Sequence, residues 1–349
     1  MPYSNSRKGK SMKKLATAVV LAAMATAASA QNVAVYGILD TGIQNYNTGT
    51  ATFTRTTDGI LATSRLGFKG TEDLGGGLTA GFVLEGKVVP SAGTFGSTAT
   101  TGQAFDRESS LFVAGKFGEI RVGKTDISAA EGVDTLTTQA GNMGFHASNG
   151  TGVELGGDAS NTVRYTTPKF NNFSAQIGRS TNANGSTTDA GTELTGYSVT
   201  YDDGKLKLIA GQVKLAAATT VAERDFTAYG AAYDFGVASV GASYASGDVS
   251  TTGDVKNTVK QASIRVPLGA GLAAHGVYAI TKDGTQASAG EGKGYTVAVT
   301  KALSKRTSVY AAYTAVTNEA NATMSMVGTT AGTAGLDPKA TTVGISHTF

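Results

Sequence analysis

Charge is sparse in this 349-residue chain, 16 % Asp, Glu, Lys and Arg, and much of it sits in a pattern. Arg65, Lys69, Glu85, Lys87, Arg121, Arg164 and Arg265 each lie, by parity, opposite the apolar side of an alternating run. The chemistry open to such residues is electrostatic sorting, in which fixed charges along a wet passage select ions and small solutes by sign and size. Each alone reads equally well as an ordinary solvated charge on a polar face. Bond-making chemistry has no comparable set. His146, His275 and His347 lack metal-ligand partners at useful spacing. Cysteine is absent, which excludes a thiolate metal site, a disulfide framework and a thiol nucleophile. No serine sits in a nucleophile motif, and no helix follows Gly75-Gly76-Gly77 to make a phosphate cradle. The inventory predicts no enzyme, no cofactor and no metal.

The elements that carry these charges are strands. In Ser64–Lys87, Leu66 and Phe68 share one face and Arg65 and Lys69 the other. The turn-rich TEDLGGG follows. Leu78, Ala80, Phe82 and Leu84 then oppose Thr79, Glu85 and Lys87, which makes an antiparallel hairpin with one apolar and one polar side. The pattern recurs along the chain: Asn32–Gln44, the opening hairpin, Phe105–Lys116, Glu119–Lys124, 161–170 and 173–178. Later strands centre on Tyr197–Tyr201, Lys205–Val213, Phe226–Phe235, Val237–Ala245, Val259–Val266, Leu272–Ile280, Tyr295–Lys301, Thr307–Val316 and Thr341–Phe349. Long polar loops alternate with short turns; the first long loop is expected to run to Ala62, the second over Pro90–Ala104 and the longest over Asp126–Ser160.

Composition narrows the class. Glycine is abundant at 47 residues and proline scarce at 5. A mean hydropathy of -0.06 looks soluble, but a transmembrane barrel gives the same average because alternate residues face water. Residues 1–30 form a secretory signal peptide: Met12-Lys13-Lys14, an apolar run from Leu15 to Ala27, and Ala28-Ser29-Ala30 before Gln31. Met12 alone would begin an ordinary signal. This leader takes five of the 29 basic residues and none of the 26 acidic ones, leaving 24 against 26. A mature chain of net charge -2 removes the argument for nucleic acid as a partner. Sixteen strands with apolar faces on one side leave edges as an open sheet and need a core as a sandwich. A closed antiparallel transmembrane β-barrel over residues 31–349 removes the edges and turns the apolar faces to lipid.

VAVYGILDTGI (33–43), RLGFKGTEDLGGGL (65–78), FGEIRVGKTD (117–126), NTVRYTTPKFNNFSAQIG (161–178), ALSKRTSVYAAY (302–313) and the terminal Phe349 together resemble the trimeric general-diffusion porins of Gram-negative outer membranes, in their betaproteobacterial type. The resemblance implies a 16-stranded barrel with an inward-folded third extracellular loop, here Asp126–Ser160. It implies an outer-membrane channel for passive diffusion of small hydrophilic solutes and ions. The implied partners are two further copies of the chain in a homotrimer, outer-membrane lipid and lipopolysaccharide, and the barrel-assembly machinery, for which Phe349 is the signal. It ranks Arg65 and Arg164 highest as a basic constriction wall, with Arg107 and Arg121 beside them, facing the loop acids Asp126, Glu131 and Asp134. Arg107 shares parity with Leu111 and Val113 and needs a bulge or a rim position to turn inward. Glu108 stands where the family pattern has a neutral residue. Weighing those cations against those loop acids gives a small positive excess and predicts weak anion preference. The alternative is an outer-membrane barrel that acts mainly as an adhesin or structural protein through its surface loops.

Overall fold

The structure, a computed structural model, describes residues 32–96, 103–127, 133, 158–181, 193–216, 223–248, 256–283, 290–326 and 333–349; the signal peptide lies outside them. Its strands are β1 (Asn32–Asn47), β2 (Thr52–Asp58), β3 (Arg65–Gly75), β4 (Leu78–Val89), β5 (Thr94–Phe95), β6 (Glu108–Gly115), β7 (Gly118–Asp126), β8 (Asp158–Thr166) and β9 (Phe173–Ser180). They continue with β10 (Leu194–Asp202), β11 (Leu206–Leu215), β12 (Arg224–Asp234), β13 (Ser239–Asp248), β14 (Lys256–Gly269), β15 (Leu272–Asp283), β16 (Gly290–Ala302), β17 (Thr307–Asn318) and β18 (Lys339–Thr348).

All pairings are antiparallel. β1 pairs with β18, from Ile38 opposite Thr348 to Asn47 opposite Lys339, and this closes the sheet into a barrel. β2 and β3 pair with successive stretches of β1 and fill one wall position together. β5 is a two-residue addition to the end of β4. The wall among the described residues therefore has the sixteen positions that the alternation predicts.

Alternation also sorts the side chains. On β1 and β18, Val33, Val35, Leu39, Ile43, Val343 and Ile345 point out and are exposed, while Asp40, Gln44, Thr342 and Ser346 point in and are buried. Among the described residues thirty-four large apolar side chains are exposed, most of them on the outer face. At about 1 kcal/mol for each half-buried side chain, water would leave tens of kcal/mol unmet, and lipid removes that penalty. The rim with the short turns carries aromatic pairs, Phe173 with Tyr201 at 4.9 Å and Tyr233 with Phe235 at 4.5 Å, as an interfacial girdle does.

The short turns are built from residues that accept left-handed backbone. Gly75, Gly76 and Gly77 all have positive φ, and Asp73 accepts the N–H of Gly75. Asn171 and Asn172 turn the next hairpin, also at positive φ. In the 203–205 turn, the N–H groups of Leu206 and Lys205 hold Asp203 below the usual carboxylate range.

Three local expectations are corrected. The first loop is not long: β1 runs to Asn47, residues 48–51 turn, and the polar Thr52–Asp58 returns as β2. Its threonines suit a strand, but with polar residues on both faces it carries no alternation to read. Thr71–Leu74 belong to β3, not to the turn, and a register shift between Asp73 and Gly75 absorbs the extra residue. Phe105–Arg107 lie ahead of β6, which begins at Glu108.

The buried clusters all lie against the inner wall. Ile127 and Val133, from the long connection after β7, share one with Ile209, Val213, Phe226 and Ala228. Met324 and Met326, beyond β17, share another with Tyr46, Val277 and Val316.

Candidate functional site: a charged strip on the inner wall

Neighbouring strands β3, β4, β6, β7 and β8 place the arginines on one continuous strip, because residues directly opposite in an antiparallel pair point to the same side. Arg65 is opposite Lys87, Gly67 opposite both Glu85 and Tyr36, and Arg121 opposite Arg164. Gly67 carries no side chain, so the Tyr36 ring lies over it and its hydroxyl donates to Glu85 Oε2 at 2.9 Å.

Glu85 Oε1 takes two guanidinium groups. Arg107 Nε donates to it at 2.6 Å, and Arg65 Nη1 stands 3.7 Å away. The backbone bends at Arg107, just ahead of β6, and its N–H binds the Glu85 carbonyl at 3.1 Å. The bend turns its side chain inward despite its parity with Leu111. Arg121 is more tightly held. Its Nε and Nη2 reach both oxygens of Glu119 at 2.8 and 3.1 Å, a bidentate pair. Its Nη1 donates to Glu108 at 2.5 Å and Ser110 at 3.1 Å, and its guanidinium lies 4.6 Å from the Phe112 ring centre. Arg164 stands 3.6 Å from Glu119, donates to the Asp126 carbonyl at 3.2 Å and lies 4.0 Å from its carboxylate. Lys69 Nζ sits 4.9 Å above the Tyr36 ring.

The strip is polarised along its length. Arg121 and Arg164 are 12 % and 11 % exposed and lie among Glu108, Glu119 and Asp126. Arg65 and Arg107 are 26 % and 30 % exposed and share Glu85. At the accessible end Arg65 and Arg107 share Glu85, Asp158 at the start of β8 also acts on Arg65, and Lys69 and Lys87 adjoin. Of the loop acids, Asp126 ends β7, half-exposed; Glu131 and Asp134 lie outside the described residues. Sequence reasoning placed Glu85 on this face and noted Glu108, but gave neither a partner and gave Glu119 no place. Glu119 and Arg121 are two residues apart on one strand, and that spacing was the available signal.

Two histidines pair with threonines of neighbouring strands instead of with the strip's charges. His275 bonds Thr300 and His347 bonds Thr307, each at 2.9 Å. Phe349 closes the wall: its N–H donates to the Gly37 carbonyl at 3.1 Å, its carbonyl accepts the Gly37 N–H at 3.3 Å, and its ring covers the face that Gly37 leaves bare.

The family model for Gram-negative porins matches residues 16–321. The chain is 35 % identical over 246 residues to outer membrane porin protein 32 of Delftia acidovorans, covering 65 % of this chain and 67 % of that one. It is 29 % identical over 273 residues to an outer membrane porin protein of Bordetella pertussis, covering 67 % and 69 %. Among solved structures, the anion-selective porin from Comamonas acidovorans superposes with a TM-score of 0.77 at 29 % identity, over 91 % of this chain and all of that one.

Proposed function

The chain belongs to the Gram-negative porin family, and on that premise we propose that the charged strip is the selecting wall of its channel. The barrel is an outer-membrane diffusion channel of a Gram-negative bacterium, and family membership points to a channel rather than an enzyme. Arg65, Arg107, Arg121 and Arg164 form the basic wall. Asp126, Glu131 and Asp134 are the acids of a third loop that folds inward; burial of Ile127 and Val133 among inner-face residues of β11 and β12 supports that course. The preference is weakly for anions. The observation that carries this is the accessible pair Arg65 and Arg107 sharing Glu85, in low-dielectric surroundings that focus its field. The similar Comamonas acidovorans protein is named an anion-selective porin. We assign the working form as a homotrimer with β1 and β18 near the contact, where Val33, Val35, Leu39, Val343 and Ile345 offer apolar outer surface. Outer-membrane lipid, lipopolysaccharide and the barrel-assembly machinery complete the partners, with Phe349 as the assembly signal.

The test is the double variant R65S/R164S in planar bilayers. Its zero-current potential in a salt gradient should move towards cation preference, and its conductance should rise. Unchanged potential and conductance would remove both arginines from the selecting wall. A reconstituted barrel that never conducts would overturn the channel reading itself.

A further inference from the structure

Between β2 and β3 the wall holds more chain than it needs. Asp58 lies opposite Thr41 and Arg65 opposite Ile38, so Leu39 and Asp40 of β1 face the six residues Gly59–Ser64. Two residues would continue the strand; the surplus turns inward, beginning at Gly59 with φ 73°. Ile60 is buried and, with Leu61, packs against Ala298, Tyr310 and Ala312 on the inner faces of β16 and β17. The segment therefore occupies part of the lumen beside the charged strip.

Asp40 holds it there. Its side chain is fully buried, which for a carboxylate is tolerable only with hydrogen bonds to its oxygens. Oδ1 accepts the Ile60 N–H at 3.1 Å and the Tyr310 hydroxyl at 2.9 Å, and Oδ2 accepts the Ala62 N–H at 3.2 Å. The Asp40 backbone joins in: its carbonyl accepts from Gly59 N–H at 3.0 Å and from Ser64 Oγ at 3.1 Å, and its N–H donates to Ser64 Oγ at 2.8 Å. Tyr310 reaches Asp40 across β18 at Gly344, where a side chain would collide with its ring. At its far end the segment touches the strip, since the Thr63 carbonyl accepts Arg65 Nε at 3.0 Å.

We propose that Gly59–Ser64 is a second pore-narrowing segment, locked to the wall by Asp40, and that through Thr63 it fixes the direction of Arg65. The proposal rests on the channel reading above. A strand that merely needed to close the wall would carry two residues here and no buried carboxylate.

Three variants in planar bilayers test it. In the first, Gly59–Ser64 is replaced by Thr-Val, with D40S to remove a buried carboxylate that has lost the Ile60 and Ala62 N–H groups. Its conductance should rise about 1.5-fold, because flow follows the open section. The second, S64A, loosens the clamp and leaves every charge in place. It should shift the anion-to-cation permeability ratio at nearly constant conductance, and the shift should vanish in an R65S background. The third, L61C, introduces the chain's one thiol; a bulky charged thiol reagent should then lower the current in steps. L61C keeps the segment intact and serves if the shortened chain does not fold. A folded shortened channel of unchanged conductance, or a modified L61C channel of unchanged current, overturns the narrowing role. An equal S64A shift with and without Arg65, or no shift, overturns the positioning role. Wild-type protein that does not conduct fails the channel reading first, so the two failures are distinguishable.

Discussion

Glu85→Gln is the sharpest perturbation that the strip offers. Glu85 stands between Arg65 and Arg107, and its second oxygen accepts the Tyr36 hydroxyl. Glutamine keeps the size and an acceptor oxygen but removes the charge, so two guanidinium groups lose their shared anion. A unit charge about 5 Å from a passing ion in water-like dielectric is worth about 0.8 kcal/mol, and screening at a Debye length of about 10 Å trims this to about 0.5. The change favours an anion and disfavours a cation by the same amount, a difference of about 1 kcal/mol, or about fivefold in the permeability ratio. Low-dielectric walls push the figure upward. The assay is the zero-current potential of purified protein in a planar bilayer at 0.1 M mean salt, roughly the ionic strength for which that screening holds. Glu193→Gln is the control, since Glu193 pairs with Arg179 at an exposed position away from the strip. A ratio unchanged by E85Q, or moved towards cations, would refute the assignment of Glu85, Arg65 and Arg107 to the path of the ions.

Deleting Phe349 should lower the amount of folded barrel in the membrane while leaving export to the periplasm intact, because it removes the two terminal hydrogen bonds to Gly37 and the ring over it; normal membrane levels would reject this. Single cysteines at Thr48 and Gly93 should react with an impermeant thiol reagent on intact cells, and those at Gly76 and Gly204 should not; the reverse pattern would invert the barrel.

The fold was legible because period-two alternation survives lipid exposure: Leu66 and Phe68 against Arg65 and Lys69 read the same whether the apolar face meets a core or a bilayer. Strand count and closure follow from it. What stayed hidden was non-periodic. Arg107 is turned inward by a backbone bend that parity misassigns. The sequence estimate of charge set the arginines against loop acids alone, whereas Glu85, Glu108 and Glu119 sit on the strip itself as salt-bridge partners. Counting four arginines against these three, Asp126 and Asp158 removes the excess. The preference then depends on which charges ions can reach, and exposure is a property of packing. The Gly59–Ser64 excursion was absorbed into an expected loop, because only the register of β1 reveals four surplus residues.

The seam between β1 and β18 joins the two ends of the chain. Gln44 bonds Thr342 across a separation of 298 residues, and the Tyr310–Asp40 bond spans 270. Among the described residues, every other strand pairing in the wall joins chain neighbours and can form as hairpins. The seam is the one pairing whose loop-closure entropy involves nearly the whole polypeptide, so it has the highest contact order and is placed to form last. Until it does, β1 and β18 are both open edges able to pair with strands of another molecule. A chain released without its final strand would keep most of its hairpins and leave its barrel open, offering two adhesive borders in place of a closed surface.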